Sequence, residues 1–482
     1  MRIFLSFVFI FLWISVPGQV TGEQVSYLTL KKVKKRFLND PAIENAVAGI
    51  HIVDMSNGKE IICHNKEKLF IPASTMKTLY VFYALENFGN DFRWETTLIY
   101  HGKIKNSTLK GDLILRSSGD PTFGGQIDNK SYEELISGMV ESLQEAGIRR
   151  ITGDFVMQLP GNRYPAHGSW PIEDIGNYYG TGAWGFNFND NMYKLYIRTG
   201  KPGEPLVPVR TEPEIPGLNI VNRGMTADPD SDDTSYLYAA PYSFTHTLIG
   251  EIPQTDSLYV IKGGIPNPPK VFSQLFISEM KQNGVELLGD NRFEFTIKPY
   301  DNEKIIWRHQ SPDLLTVAKR TLDKSVNHYS EALARLVIEK NRETNFYIPK
   351  DSINRYFFLK GFRLIDLEDG SGLAPDNMIA PVEYTQFFRE LVKKKGLDEI
   401  LDIMPQGGKD GYAVYFLRNS PYQQNVWVKS GSVSKVRNYV GIFKAKSGKY
   451  YAFAVMVNHF RTKHKPVKKA IEKFIEGMMM KL

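Results

Sequence analysis

Ser74-Thr75-Met76-Lys77 sets a hydroxyl and an amine three positions apart, directly after Pro72 and at the head of an apolar stretch from Ala73 to Asn87. On a helix, positions i and i+3 share a face, so the Ser74 hydroxyl and the Lys77 amine can meet. The dipole at a helix N-terminus also favours negative charge developing on the serine oxygen. A serine nucleophile needs a neighbouring base, and a desolvated lysine can serve as one. To act near neutrality, a lysine that ordinarily titrates near ~10.4 must fall by about 2–3 units, or roughly 3–4 kcal/mol. Burial and a second nearby cation both push in that direction. Taken alone, the pattern describes a capping serine beside a solvated lysine equally well.

Two further groups have matching chemistry. Ser325-Val326-Asn327 falls between two helical stretches, 314–322 and 329–340, where a short polar loop can project a hydroxyl and an amide into a cleft. By itself it is an ordinary helix cap. Lys429-Ser430-Gly431 follows a strand pattern at 425–428. A strand edge offers backbone N–H and C=O groups to an extended peptide, Gly431 permits close approach, and Lys429 adds positive charge. Each group is weak alone. In the order S-x-x-K, S-x-N, K-[ST]-G, each on a helix, loop or strand, they are a strong combined signal.

The elements that must position these groups are legible in outline. Residues 46–53 and 60–63 read as a hairpin around Ser56-Asn57-Gly58. Residues 27–38 read as a basic amphipathic helix, and helical patterning returns at 271–284, 314–340 and 384–395. Three strands are expected at 425–428, 437–446 and 450–457, followed by a closing helix at 465–479. Between them, residues 160–269 hold 14 of the 26 prolines. Even spreading would give about 6, so long helices are excluded there. The expected architecture is α+β. One antiparallel sheet draws strands from both ends of the chain, helices pack against it, and the middle is an excursion.

Composition bounds the remainder. The chain has 482 residues, 42% hydrophobic and 23% charged, which excludes a disordered or fibrous protein. The net charge of +7 is spread out, so no nucleic-acid partner is expected, and at most a peripheral membrane association. Cys63 is the one cysteine, so there is no intrachain disulfide and no cysteine-based metal cluster. Isolated histidines such as His459 and His464 show no ligand spacing, and His328 reads as a helix-start residue. Arg2, the apolar run 3–16 and Val20-Thr21-Gly22 read as an export signal, with an uncleaved anchor as the alternative.

With its three motifs in this order, the chain resembles the penicillin-binding proteins and serine β-lactamases. Ser325 lies 251 positions after Ser74 and Lys429 lies 104 after Ser325. That first gap resembles the D-alanyl-D-alanine carboxypeptidase/endopeptidase family, the class C low-molecular-mass penicillin-binding proteins of the DacB type. Gly111–Thr122, Asp369–Ala374, Asp410-Gly411, Glu331 and Ala454–Asn458 match as well. The resemblance implies a penicillin-binding-protein/serine β-lactamase-like transpeptidase domain formed by residues 23–90 and 305–482 after a signal peptide 1–22. It implies one inserted domain at 91–182 with 262–304, and another at 183–261. It further implies an exported, periplasmic or cell-envelope serine peptidase that acts on peptidoglycan stem peptides and is acylated by β-lactams, with no metal or cofactor. Ser74 would be the nucleophile, Lys77 its base, Ser325 a proton relay and Asn327 an orienting amide. Lys429, Ser430 and Gly431 would meet the terminal carboxylate and substrate backbone, and the N–H groups of Ser74 and Ser432 would form the oxyanion hole. Trp170, Asp174 and Tyr178 match a stretch whose acid reaches a diaminopimelate amine, with Glu173 and Tyr179 as an alternative register. Departures are Val326 within the second motif, Ser430 for the usual Thr, and Ala374-Pro375 where Ser-Arg is frequent. A serine β-lactamase and a catalytically silent peptidoglycan-binding module are the rival readings.

Overall fold

The β-branched segments Val47–Asp54 and Glu60–His64 fold into a hairpin and join three C-terminal strands in one antiparallel sheet. The order is Glu60–His64, Val47–Asp54, Tyr450–Asn458, Val436–Lys444, Val426–Val433. The computed structural model describes residues 22–160, 166–339 and 350–482. The apolar run at 3–16, read as part of an export signal, lies outside them. Alternation along Tyr450–Asn458 divides the core into two layers. Ala452, Ala454 and Met456 face one side, packing with Leu79, Phe82 and Tyr384. Tyr451, Phe453, Val455 and Val457 face the other, against Ile471, Phe474 and Met478 of the helix His464–Lys481. The helix Gly22–Leu38 lies along that closing helix, with Phe37 and Phe474 ring centroids 4.9 Å apart. The opposite layer centres on Lys77–Phe88, buried from Lys77 to Leu85, with Leu314–Lys324, Asn327–Glu339 and Pro381–Lys395 around it.

The intervening chain builds a second sheet of seven strands, whose backbone is the long hairpin Glu95–Lys105 and Thr108–Ser117. The strand Lys304–Gln310 pairs with Glu95–Lys105, so the expected return point at residue 305 falls inside this sheet, and the chain leaves it after Gln310. The helix Tyr132–Glu145 packs here. The sequence reading omitted it, although Ser131 and Glu134 form a reciprocal capping box at its start. The proline-rich segment forms short strands, among them Met192–Arg198 between Val207–Glu212 and Tyr259–Gly264. Its one described α-helix before residue 268 is the single turn Ile172–Ile175. Pro268 and Pro269 then open Pro268–Gln282 from the first helical positions, where a missing N–H costs nothing. Among the described residues, no helix is long and apolar enough to cross a membrane.

Candidate active site

The turn bearing Ser74 is held from beneath by the sheet. Asn438 Nδ2 donates to the carbonyls of Ile71 (2.8 Å) and Pro72 (3.0 Å), and the Ile71 N–H donates to Asn458 Oδ1 at 2.8 Å. Residues Ala73–Met76 form a 3₁₀ turn, tighter than the α-helix expected from residue 73, and the α-helix proper begins at Lys77. Gly431 approaches this turn so closely that a Cβ there would lie 2.4 Å from the Pro72 carbonyl oxygen. Its missing side chain therefore makes room for the nucleophile turn, not for a substrate.

Lys77 is fully buried at the base of the site. Its Nζ lies 2.7 Å from Ser74 Oγ, donates to Asn327 Oδ1 at 2.8 Å, and donates to the Ser371 carbonyl. Burial pushes its pKa down to about 7, with Asp369 and Glu331 opposing the shift. Two of the three neighbours are pure acceptors and the third is a hydroxyl. A neutral amine suits that set: two N–H groups go to Asn327 and Ser371, and its lone pair takes the Ser74 proton.

Ser325 caps Leu314–Lys324 in left-handed geometry, φ 55°, which turns its hydroxyl out of the helix. Lys429 Nζ donates to Ser325 Oγ (2.9 Å) and to the Ser430 carbonyl (2.8 Å). Lys429 is 2% exposed. Burial holds its pKa well below the usual lysine range, and the cations Lys77 and Arg437 add to that. Ser74 and Asn327 are thus joined through Lys77, and Ser325 is joined to Lys429, while Ser74, Ser325 and Asn327 line one cavity. The strand Val426–Val433 is the sheet's edge and runs through the third motif, although the sequence pattern placed its end at 428. Its first part is covered by bonds from the Gly407 N–H to the Val426 carbonyl and from the Val428 N–H to the Pro405 carbonyl. Beyond it, no strand lies outside Lys429–Val433 among the described residues.

Residues whose roles were not assigned from sequence complete the site. Asp369 accepts from the N–H groups of Gly372 (2.8 Å), Leu373 (3.0 Å) and Ala374 (2.8 Å), and from Asn377 Nδ2 (2.9 Å). These bonds shape the loop that offers the Ser371 carbonyl to Lys77. Glu331 accepts from the Gly370 N–H, and burial followed by the Asp369 charge pushes its carboxyl up to about 8. The inserted segment enters the same network. Trp170 Nε1 donates to Asp369 Oδ2 at 2.8 Å, and Asn327 Nδ2 donates to the Tyr179 carbonyl at 2.8 Å.

Two cavities meet at Ser74. The larger, about 1170 Å³, is lined by Ser74, Ser325, Asn327, Ser432, Asp174 and Tyr178 among others. Glu173, Tyr179 and Pro375 also reach it, and burial pushes the Asp174 carboxyl up. Trp170 departs from the expected cluster: it is buried against Leu373 and Ala374, its indole N–H committed to Asp369. The smaller cavity, about 470 Å³, also contains Ser74, Ser325 and Ser432, together with Ser430 and Arg437. His328 is buried and bonded to the Pro121 carbonyl, a structural residue. Among the described residues, no group of three His, Cys, Asp or Glu side chains could hold a metal ion.

The model of the D-Ala-D-Ala carboxypeptidase 3 (S13) family matches residues 30–479. The D-alanyl-D-alanine carboxypeptidase DacB of Haemophilus influenzae is 24% identical over 457 residues, 90% of either chain. The crystal structure of penicillin-binding protein 4 from that organism superposes with a TM-score of 0.78 at 21% identity, covering 93% of this chain and 98% of that one. Its complex with a β-lactam superposes with a TM-score of 0.73 at 21% identity, covering 93% and 99%.

Proposed function

This chain belongs to the D-Ala-D-Ala carboxypeptidase 3 (S13) family, and from that premise we propose that it is an exported serine DD-peptidase working through a Ser74 acyl-enzyme. Its substrates are the D-Ala-D-Ala bonds, the D-Ala-diaminopimelate bonds, or both, of peptidoglycan stem peptides. The observation that carries the reading is the buried Lys77 amine, 2.7 Å from Ser74 Oγ with its other two neighbours acceptors. Ser74 gives its proton to Lys77 as its oxygen attacks the penultimate D-alanine carbonyl. The N–H groups of Ser74 and Ser432 receive the developing oxyanion, and loss of such a donor typically costs about 10²–10³ in rate. As the C–N bond breaks, Ser325 protonates the departing amine. Lys429, bonded to Ser325 Oγ, resupplies that proton. Water then attacks the ester: its oxygen joins the acyl carbonyl, its proton restores Lys429 by way of Ser325, and the proton held by Lys77 returns to the Ser74 oxygen as the ester C–O bond breaks. Asn327 orients Lys77 and the substrate amide.

The acyl portion occupies the larger cavity, where Asp174 and Tyr178 meet the diaminopimelate side chain. The catalytic domain comprises segments 23–90 and 305–482, less the end of the strand Lys304–Gln310, which pairs into the inserted sheet. Segments 91–182 with 262–304, and 183–261, form two accessory domains. β-Lactams acylate Ser74 as substrate mimics, a reading supported by the β-lactam complex of the Haemophilus protein. The apolar run at 3–16 supports export to the periplasm.

Mass spectrometry of uncross-linked and cross-linked muropeptides incubated with the purified chain tests this. Loss of one D-alanine, or cleavage of the cross-bridge, is expected, together with a fluorescent penicillin adduct on Ser74. Ser74→Ala should abolish both. Persistent hydrolysis in that variant would overturn the assignment, and rapid nitrocefin turnover would indicate a β-lactamase.

A further inference from the structure

The edge strand presents two different faces. In its antiparallel register with Val436–Lys444, Ser430 lies opposite Tyr439 and Ser432 opposite Arg437. Paired residues share a face, and so do positions two apart, so Ser430, Ser432, Arg437 and Tyr439 project on one side. That side faces the closing helix, since Tyr439 packs in the core with Phe474 and Ser432 Oγ lies 3.2 Å from His464 Nδ1. Lys429, Gly431 and Asn438 project on the other side, where each meets the nucleophile turn or Ser325. The buried Lys429 amine therefore lies beneath the strand, already spoken for by Ser325 Oγ and the Ser430 carbonyl.

Arg437 is placed differently. It lines the 470 Å³ cavity with Ser74, Ser430 and Ser432. Its guanidinium stacks 5.0 Å from the Tyr439 ring centroid, and Nε and one Nη donate to the Tyr439 hydroxyl. Among the described residues no carboxylate pairs with it, and its remaining N–H groups have no acceptor. Lys468, in the same cavity, is by contrast bonded to the Tyr415 carbonyl and lies 3.5 Å from Glu472. The cavity thus joins the nucleophile to a half-buried, unpaired fork of donors flanked by serine hydroxyls. That chemistry fits a carboxylate, which guanidinium can bind through two N–H groups.

We infer that Arg437 is the carboxylate-binding residue of the leaving-group subsite, pairing with the free α-carboxylate of the residue expelled from Ser74, with the Ser430 hydroxyl as a second donor. The inference rests on the DD-peptidase reading above and replaces Lys429 as the carboxylate's counter-ion. Lys429 acts instead on Ser325. With the scissile carbonyl at Ser74, the expelled residue begins at the junction of the two cavities, and its carboxylate is one residue's reach along the strand edge.

The test compares an N-acylated peptide ending in D-Ala-D-Ala with the same peptide ending in a carboxamide, in wild type, Arg437→Gln and Arg437→Lys. A charge-assisted contact of this kind is worth about 10–100-fold. The acid-over-amide preference in kcat/KM should fall by that factor in Arg437→Gln, mainly through KM, and recover in part in Arg437→Lys. An unchanged preference overturns the inference, whether or not both rates fall together. Penicillin labelling of Ser74 in each variant separates this from the underlying reading: labelled enzyme with an unchanged preference defeats only the role of Arg437. Absence of labelling and of D-alanine release in wild type defeats both.

Discussion

At Lys77, burial and protonation are set against each other, and activity should report the balance. With its pKa pushed down to about 7 by burial, the amine is half neutral near pH 7. Acylation by benzylpenicillin should then fall about tenfold per pH unit below that midpoint and level off above it. A profile still rising steeply at pH 9 would return Lys77 to an ordinary, charged lysine. Lys77→Arg keeps the charge but cannot accept a proton, so near-complete loss of acylation is expected. Stopped-flow acylation rates equal to wild type would sink that role. Ser74 and Lys77 were legible because their relation is local, one helical turn. Asn327, 250 positions away, was legible through its own motif as the orienting amide, but the second acceptor, the Ser371 carbonyl 294 positions away, was not, because a backbone carbonyl has no sequence signature. Asp369 and Glu331 stood in stretches that matched the family, but their roles as loop organiser and buried acid emerge only from what surrounds them.

At the scale of elements, the site depends on how tightly the edge strand Val426–Val433 lies against the Ser74 turn. The sequence pattern ended this strand at Val428, because Lys429-Ser430-Gly431-Ser432 lacks the apolar alternation of a strand. The ladder to Val436–Lys444 nonetheless runs on to Val433, since backbone pairing needs no apolar side chain. The hairpin at 46–63 and the closing helix were legible because their periodicity reflects one buried face each. Gly431→Ala probes the contact. Its Cβ would sit 2.4 Å from a backbone oxygen, so strand or turn must shift. Overpacking of this kind typically costs about 1–3 kcal/mol, and a displacement of about 1 Å at reacting atoms about 10²-fold in rate. The variant should fold, melt a few degrees lower, and acylate at least tenfold more slowly. Wild-type acylation kinetics would mean that the two elements are not mechanically coupled.

Across the whole molecule, the insertion is bound into the chemistry. Its segment 170–190 reaches the helix Asn327–Glu339 and the Asp369 loop through the Tyr179 carbonyl on Asn327, Asp190 on Tyr329 and Trp170 on Asp369. Tryptophan and aspartate of one short segment therefore separate into two functions. Trp170 braces the loop that offers Ser371 to Lys77, whereas Asp174 lines the larger cavity. Trp170→Phe removes one buried donor from Asp369, a loss of about 1–3 kcal/mol that falls on the loop itself. It should slow acylation by benzylpenicillin and by peptides in equal proportion. Asp174→Asn should instead penalise only peptides with a free side-chain amine, by about 10–150-fold in kcat/KM, because a charge-assisted bond to that amine is what it removes. Benzylpenicillin, which lacks such an amine, should acylate the Asn variant at the wild-type rate. Measured on the same two substrates, the variants should therefore separate: a ratio unchanged in Trp170→Phe and shifted in Asp174→Asn. If both variants shift the ratio alike, the indole faces substrate after all. If neither does, the diaminopimelate amine is held by some other group along the cleft.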